Sequence, residues 1–257
     1  MINLTIADDL ADVVLDAPHK LNSLNERALS ELSDAYEEAS LAGVRALLLR
    51  AEGRGFCAGR DISGVDARDD DATEYLEHKV TPVLRVMAEF PAPTFAAIQG
   101  ACLGVGLGLA IATDVVYVAD DALIGSPFAN LGATLDSGGH ALFTERLGAH
   151  RTLDLIYTGD LISGREAVAA GLFSRSIAPD ALQATTRAAA EKAAKGATQA
   201  FLASKRLVAR IRDERIGLWE SLAEENAAQG QLSSTEDYLE GFTAFQEKRR
   251  PSFTGRA

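Results

Sequence analysis

Residues 98–139 read IQGACLGVGLGLAIATDVVYVADDALIGSPFANLGATLDSGG, and this stretch indicates most about the fold. It begins where an apolar run at 94–98 ends, and that run predicts a buried strand. The glycine-rich segment 100–112 predicts a turn that leads into a helix, and the apolar run at 114–119 predicts another strand. Strand, helix and strand in this order predict an α/β protein with a mostly parallel core sheet and helical crossovers.

The N-terminal side of this stretch predicts the same mixture of strands and helices. Ser23 and Glu26 have the spacing of a capping box, which predicts the start of a helix. The elements expected in this part are a β-hairpin over 2–15, a helix that ends at Gly43, a buried strand over 44–49, a glycine-rich loop over 53–62 and a helix over 72–90.

The C-terminal part of the chain changes character after Pro179, because only helical periodicity follows. Ser233 and Glu236 predict the cap of the last helix. The expected helices cover 181–195, 198–212, 215–228 and 233–248. Because no Pro/Ser/Gly-rich linker separates the two zones, we expect one structural unit, with a core over 1–178 and a helical C-terminal region over 179–257.

Composition and charge argue against several classes of partner. The chain has 257 residues, 25 basic and 37 acidic, so its formal charge is 25 − 37 = −12. Such a surface repels nucleic acids and anionic membranes, and no apolar run reaches the roughly 18 residues of a membrane span. The two cysteines, Cys57 and Cys102, fit a reducing compartment, and no secretion signal is evident, so we expect a cytoplasmic protein.

Two glycine-rich turns, at 53–62 and 100–106, are the candidates for a chemical site. The run GVGLGL at 104–109 is similar to a dinucleotide-binding motif, but its third glycine, Gly108, falls one position early. No two of the four histidines have the spacing of a helical zinc pair, so we expect no metal site. Both turns could present backbone N–H groups to a ligand and form an oxyanion hole, or both could be tight strand-to-helix turns only.

Four stretches of the chain resemble landmarks of the enoyl-CoA hydratase/isomerase, or crotonase, superfamily, in the family's order. They are DAPHKLNSLN at 16–25, GRGFCAGRDI at 53–62, the quoted stretch at 98–139 and TAFQEKRRPSFTG at 243–255. The resemblance implies the crotonase (ClpP/crotonase-like) fold, an α/β spiral of repeated ββα units with a helical C-terminal trimerisation region. It also implies a homotrimer or a dimer of trimers.

The resemblance implies that both glycine turns bind an acyl-CoA thioester and stabilise its enolate. By position, the two donors are the backbone N–H groups of Arg60 and Val105. Each donor aimed at the developing oxyanion contributes about 3–4 kcal/mol in the transition state. No metal or redox cofactor is implied, because coenzyme A is part of the substrate. The Arg60 side chain either reaches a CoA phosphate or faces solvent.

The resemblance also implies further positions that contact the substrate or CoA. Phe245 and Lys248 match positions from which a neighbouring subunit reaches CoA, although a core phenylalanine and a solvated lysine are equally expected. His78 is expected to be a surface residue on the helix that covers the acyl pocket. The substrate- and CoA-binding positions are Lys20, Leu21, Ala58, Asp61, Ile62, Phe128, Phe245 and Lys248.

The chain departs from the family's pattern at the positions of the family's catalytic acids. Hydratases of the family use two glutamates, and these would align here with Gly108 and Phe128, neither of which ionises. Asp136 is the only carboxylate between Gly125 and Gly139, and some family isomerases have their acid/base at this place. Within the family the resemblance is nearest to the 1,2-epoxyphenylacetyl-CoA isomerases of phenylacetate catabolism. Asp136 would otherwise be an aspartate that caps a turn or helix.

These observations predict an acyl-CoA isomerase that shifts a double bond or opens a ring epoxide, with Asp136 as its single acid/base. An enoyl-CoA hydratase and a non-catalytic CoA-binding homologue stay open as alternatives. A CoA-ester hydrolase or dehalogenase is a weaker alternative, because it needs a histidine that activates water. The acyl group is not indicated by the sequence.

Overall fold

The computed structural model of the chain describes residues 1–256. Short 3-10 turns at Pro18–Lys20 and Phe128–Leu131, and a π-helical turn at Leu76–Val80, connect the longer elements. The strands are β1 (Ile2–Ala7), β2 (Leu10–Leu15), β3 (Ala46–Ala51), β4 (Thr94–Ile98), β5 (Ala101–Leu103), β6 (Val115–Ala119), β7 (Leu123–Gly125), β8 (Ile162–Ser163) and β9 (Arg175–Ile177). The helices are α1 (Glu26–Leu41), α2 (Ala72–Tyr75), α3 (Thr81–Ala88), α4 (Val105–Ile111), α5 (Gly139–Thr158), α6 (Gly164–Ala169), α7 (Leu182–Ala194), α8 (Thr198–Asp213), α9 (Leu218–Leu232) and α10 (Glu236–Gln246).

The strands form two sheets. The larger sheet has the strand order β1-β2-β3-β4-β6-β9, and the smaller sheet has the order β5-β7-β8. Only β1 is antiparallel in the larger sheet, where it forms the expected hairpin with β2 and places Ile2 opposite Leu15. The other strands of that sheet run parallel, which confirms the expected core sheet.

The chain winds through these sheets in repeated ββα units. β4 enters the larger sheet, β5 enters the smaller sheet and α4 follows; β6, β7 and α5 repeat this path. After β3, the backbone at Cys57 forms a single β-bridge with Cys102 of β5, so this turn of the spiral follows the same path as the two later ones. β5 ends directly before Gly104, and the bridge residue Cys57 lies two residues before Gly59, so the pairing of Cys57 with β5 brings the two glycine turns together.

The core lies between the larger sheet and the helices that cover it. β3 and β4 are buried on both faces, and Leu48 and Ile98 are fully inaccessible to solvent. This explains why both strands read as continuous apolar runs rather than as alternating ones. α1 contributes Leu29 and Leu32 to the core, and α7 packs on β3 and β4.

The C-terminal helices are present as predicted, and several of their large apolar side chains face solvent in the single chain. The exposed fraction is 81% for Trp219, 68% for Leu218 and 83% for Phe245. No helix in the described part of the chain is long and apolar enough to cross a membrane.

Both predicted helix caps are wrong by two residues. Asn25, not Ser23, caps α1, because its side chain accepts the N–H of Ala28 at 3.0 Å. Thr235, not Ser233, caps α10 by accepting the N–H of Tyr238 at 3.2 Å. In both cases another side-chain acceptor stands directly before the first helical residue.

Three predicted elements differ from their expected bounds in the structure. The strand expected over 44–49 begins at Ala46 and extends to Ala51. The helix expected over 72–90 consists of α2, the π-helical turn and α3. The segment 100–112, expected as one turn and helix, also contains the short strand β5.

Candidate active site

The two glycine-rich turns lie side by side because the segments that precede them pair. The N–H of Cys57 donates to the carbonyl of Ala101 at 2.9 Å, and the N–H of Leu103 donates to the carbonyl of Cys57 at 2.9 Å. Both cysteines are buried and free, and burial raises the pKa of the Cys57 thiol to about 12. This pairing fixes the segment 57–60 against the segment 101–105.

Gly59 and Gly104 allow the closest approach of the two turns. Their φ angles are +96° and +52°, in the region that residues with a side chain rarely adopt. A Cβ atom on Gly59 would lie 2.9 Å from the carbonyl oxygen of Leu103 and 3.6 Å from the backbone nitrogen of Val105. A Cβ on Gly104 would lie 3.0 Å from Cζ of Phe128. Glycine is therefore required at both positions by conformation and by space.

The N–H groups of Arg60 and Val105 donate no hydrogen bond to the described part of the protein. The residues on either side of Arg60 pair with Leu24. The N–H of Leu24 donates to the carbonyl of Gly59, and the N–H of Asp61 donates to the carbonyl of Leu24, each at 2.8 Å. In an extended segment the N–H of Arg60 then points away from Leu24. Val105 is the first residue of α4, where a helix offers its N–H no acceptor. Two free donors thus lie where the turns meet, which is the arrangement of an oxyanion hole.

Asp136 lies in the loop between the 3-10 turn at Phe128–Leu131 and α5, and its side chain is partly buried. The hydroxyl of Ser137 donates to Oδ1 of Asp136 at 2.8 Å. Burial raises the pKa of Asp136 above its ordinary value, against the opposing effects of the Ser137 hydroxyl and of His140. A carboxylate with a raised pKa is a stronger base, which suits proton transfer near neutral pH.

The loop that carries Asp136 covers the face of α4 at Gly108. A Cβ atom on Gly108 would lie 2.6 Å from Cβ of Ser137 and 3.1 Å from its carbonyl oxygen. The space into which a glutamate at 108 would project is therefore filled by the residue next to Asp136. Phe128, at the place of the second hydratase glutamate, lies with its ring against Gly104. The structure thus places Ser137, the residue after Asp136, against α4, and Phe128 against Gly104, the residue before that helix.

The contact between Gly108 and Ser137 predicts that an alanine substitution destabilises the protein at Gly108, whereas it stabilises the protein at a helical glycine without such a contact. Gly108→Ala should lower the free energy of unfolding by about 1–3 kcal/mol, because the new methyl group overpacks against Ser137. Gly230→Ala is the matched control, since no atom lies within 4 Å of a Cβ on Gly230 in α9. It should raise stability by about 0.4–1 kcal/mol. Urea unfolding at neutral pH measures both, and equal effects of the same sign would contradict the packing described here.

The N-terminal turn contacts the first glycine turn directly. The carbonyl of Leu21 accepts the N–H of Ala58 at 2.9 Å, and Nζ of Lys20 forms an ion pair with Oδ2 of Asp61 at 2.8 Å. This lysine is the main reason why the pKa of Asp61 is lowered. Ile62 follows with 57% of its surface exposed. The structure therefore brings the two predicted binding residues of the N-terminal turn together with the three that lie close to Arg60 in the chain.

Asn22 holds this N-terminal turn in place, although the sequence analysis did not single it out. The residue is fully buried, and its side-chain oxygen accepts the N–H of Ala17 at 2.7 Å. Its amide group donates to the carbonyls of Glu52 and Gly55, each at 2.9 Å. Its φ of +56° is a left-handed turn conformation that asparagine tolerates better than most residues. The presence of an asparagine in this turn was therefore the signal available in the sequence.

The side chain of Arg60 takes neither of the two expected roles, because it is held by the protein itself. Its guanidinium group forms two hydrogen bonds with Asp70, at 2.8 and 2.6 Å. It also lies 3.9 Å from the centre of the Tyr75 ring. Arg60 therefore connects the first glycine turn to the loop before α2 and to the end of that helix.

A cavity of about 320 Å³ opens beside Arg60 and Tyr75. Two of the predicted binding residues, Arg60 and Asp61, line it. The complete lining is Leu24, Asn25, Glu26, Arg60, Asp61, Ser63, Gly64, Val65 and Tyr75.

Phe245 and Lys248 lie apart from this cleft within one chain. Phe245 is 83% exposed, so the expectation of a core phenylalanine is wrong, and Lys248 is exposed as expected for a solvated lysine. Phe245 lines an apolar cleft of about 410 Å³ together with Phe242 and Phe253. No residue of either glycine turn lines that second cleft.

His78 and the other potential metal ligands do not form a second chemical centre in residues 1–256. The His78 side chain is 62% exposed, and its Nδ1 lies 3.0 Å from Oε2 of Glu74 on the helix surface. No three His, Cys, Asp or Glu side chains of the described chain gather closely enough to hold a metal ion.

The arrangement can remove a proton from the carbon next to a thioester carbonyl. Two free N–H groups can bind the oxygen on which charge develops, and one partly buried carboxylate can accept the proton. No second ionisable group stands at the positions of the two hydratase glutamates.

Comparison with known proteins agrees with this geometry. The family model described as Enoyl-CoA hydratase/isomerase matches residues 5–256. A Rhodobacter capsulatus protein named "Probable enoyl-CoA hydratase" is 33% identical over 255 residues, which are 99% of this chain and 98% of that relative.

Solved structures show the same fold. An enoyl-CoA hydratase subunit I from Geobacillus kaustophilus superposes with a TM-score of 0.90 at 29% identity, and the match covers 99% of this chain and 98% of that one. An enoyl-CoA hydratase from Bacillus anthracis superposes with a TM-score of 0.89 at 28% identity, and the match covers 99% of each chain. The expected crotonase fold is therefore confirmed, and the chain belongs to the enoyl-CoA hydratase/isomerase family.

Proposed function

We propose that this family member is an acyl-CoA isomerase in which Asp136 is the single acid/base. The observation that carries the proposal is the contact at α4: the Asp136 loop fills the space of the first hydratase glutamate, and Phe128 stands at the place of the second. One carboxylate suffices for isomerisation, because the group that removes a proton from one carbon can return it to another. Hydration needs, in addition, a group that activates water.

The mechanism follows from the positions of the three groups. Asp136 removes a proton next to the activated carbonyl, and the electron pair moves into the thioester to form an enolate. The N–H groups of Arg60 and Val105 stabilise the enolate oxygen. Asp136 then returns the proton to a different carbon, so that the double bond is shifted and no atom is gained or lost. Opening of a ring epoxide, as in phenylacetate catabolism, belongs to the same proposal on the resemblance given above.

Hydration is the second candidate function, because the relatives reported above carry the name hydratase. In this case Asp136 would have to act on water as well as on the α-carbon. A non-catalytic CoA-binding role is the third, because both family glutamates are missing. The raised pKa of Asp136 favours a catalytic role over this one.

The proposal includes an assembly and a location. The exposed apolar side chains of α9 and α10, such as Trp219 and Phe245, support a homotrimer or a dimer of trimers. In such an assembly Phe245 and Lys248 would serve the site of a neighbouring subunit. The two free buried cysteines are compatible with a cytoplasmic location.

A panel of acyl-CoA esters, analysed by mass spectrometry, tests the proposed reaction. The panel contains 3-enoyl, dienoyl and ring-epoxide esters together with 2-enoyl esters. We expect at least one ester to be converted to an isomer of unchanged mass. Products that only gain the mass of water would support the hydratase, released CoA would indicate a hydrolase, and no conversion of any ester would support the non-catalytic role.

A further inference from the structure

Tyr75 carries a buried hydroxyl group that the proposed mechanism does not use. The residue is 6% exposed, and its hydroxyl has no hydrogen-bond partner in the described part of the protein. A buried hydroxyl without a partner costs free energy in the folded protein, so most native structures avoid one. Among the buried unpartnered groups found in residues 1–256, only Tyr75 contacts the side chain of an oxyanion-hole residue.

The ring of Tyr75 is held rigidly at the candidate site. The Arg60 guanidinium lies 3.9 Å from the ring centre and is itself fixed by two hydrogen bonds to Asp70. Tyr75 ends α2 and is followed directly by the π-helical turn at Leu76–Val80, a feature that is frequent at functional sites. A buried polar group that is unpaired and stands at the candidate site is available to a ligand.

The surroundings of Tyr75 belong to the candidate site. Tyr75 lines the cavity beside Arg60 and Asp61. It also lies within electrostatic reach of Asp136 and of Cys57, which both help to raise its pKa, although burial is the main cause. Because its pKa is about 12, the phenol stays protonated at neutral pH and acts as a hydrogen-bond donor.

We infer that Tyr75 determines specificity by donating a hydrogen bond to an oxygen atom on the acyl group, beyond the thioester carbonyl. The substrate class is then acyl-CoA esters that carry a hydroxyl, ether, epoxide or keto oxygen. This inference rests on the proposed acyl-CoA function and narrows it. An apolar acyl chain leaves the Tyr75 hydroxyl unpaired in the complex and therefore binds less well.

Binding of saturated esters tests the inference without any turnover. The probes are pairs that differ by one oxygen: butyryl-CoA with 3-hydroxybutyryl-CoA, hexanoyl-CoA with 5-hydroxyhexanoyl-CoA, and phenylacetyl-CoA with (2-hydroxyphenyl)acetyl-CoA. Calorimetry should show tighter binding of the oxygenated member by about fivefold to tenfold in at least one pair. Tyr75→Phe should abolish this preference and leave the affinity for the apolar member unchanged.

Tyr36→Phe is the matched control, because Tyr36 is also a buried tyrosine with an unpartnered hydroxyl but packs against Phe90 in the core. It should keep the preference of the wild-type protein. Tyr75→Phe should unfold at the same or a higher temperature than the wild type, since no protein hydrogen bond is lost. The inference is overturned if no pair shows a preference, or if Tyr75→Phe weakens both members of a pair equally.

The result of this binding test does not depend on whether the proposed isomerisation occurs. A preference that depends on Tyr75 can be observed even if no ester is isomerised. Conversely, isomerisation that depends on Asp136 can be observed with apolar esters while Tyr75→Phe has no effect on any pair.

Discussion

Asp136→Asn should lower kcat/KM for the isomerised ester by roughly 10²- to 10⁴-fold, which is the usual contribution of a general acid/base. The amide has nearly the same shape and can still accept the Ser137 hydroxyl, but it cannot take up a proton at neutral pH. Binding of the ester should change little, because the N–H donors and the N-terminal turn are untouched. Steady-state kinetics measures the first effect and calorimetry the second.

The pH dependence of the same variant gives an independent check. Because Asp136 must be ionised to accept a proton, the wild-type kcat/KM should fall as the pH drops through its pKa, which burial places above the ordinary value. This acid limb should be absent from the residual activity of Asp136→Asn. Activity of the variant at the wild-type level on every active ester would show that another group carries the proton.

The same pKa shift has a consequence for stability. A carboxyl whose pKa is raised in the folded state binds its proton more tightly there, so its ionisation costs stability as the pH rises through the folded pKa. At neutral pH the uncharged amide avoids this cost. Asp136→Asn should therefore unfold at a temperature equal to or above that of the wild type, and its loss of activity is then not a loss of fold.

Val105→Pro should lower kcat by about 10²- to 10³-fold, because it removes one of the two proposed oxyanion donors. Proline has no N–H, yet it is favoured at the first position of a helix, and Val105 is the first residue of α4. The substitution therefore deletes the donor at a place where the backbone tolerates it.

Val105→Ala is the matched control for this prediction. Val105 is 2% exposed, so both substitutions disturb its packing, but alanine keeps the N–H. We expect the alanine variant to retain most of the wild-type kcat. If alanine and proline reduce kcat equally in folded protein, the loss comes from packing, and the N–H of Val105 is not an oxyanion donor.

The fold was predictable from the sequence wherever an element is long enough to show its period. The hairpin of β1 and β2 and the four C-terminal helices are such elements. β5 and β7 each contain only three residues, which is too short for a pattern to distinguish a strand from a turn. Their pairing in the second sheet depends on contacts between distant segments. The glycine turns are aligned by a similar distant contact, the pairing of Cys57 with β5.

The backbone groups of the candidate site could be predicted from the sequence, whereas some of its side chains could not. The two glycine turns are evident from the sequence, the resemblance to the family implies Arg60 and Val105 as the donors, and the structure leaves both N–H groups free. The sequence did not indicate Tyr75 as a site residue, because a single tyrosine in a polar segment has the same pattern in many helices. Its position became evident only through the Arg60 side chain, which folds onto it and not into solvent.

Hydrogen exchange at the α-carbon of a bound ester tests whether Asp136 is the base that removes the proton. The wild-type protein and Asp136→Asn are incubated in D₂O with a saturating concentration of an ester that the wild type isomerises, and deuterium uptake is followed by mass spectrometry. We expect rapid uptake with the wild type, because Asp136 is only partly buried and its carboxyl proton exchanges with D₂O before it is returned. With the variant we expect uptake near the uncatalysed rate, although the variant binds the ester. Uptake by the variant at the wild-type rate would contradict the assignment of Asp136 as the base.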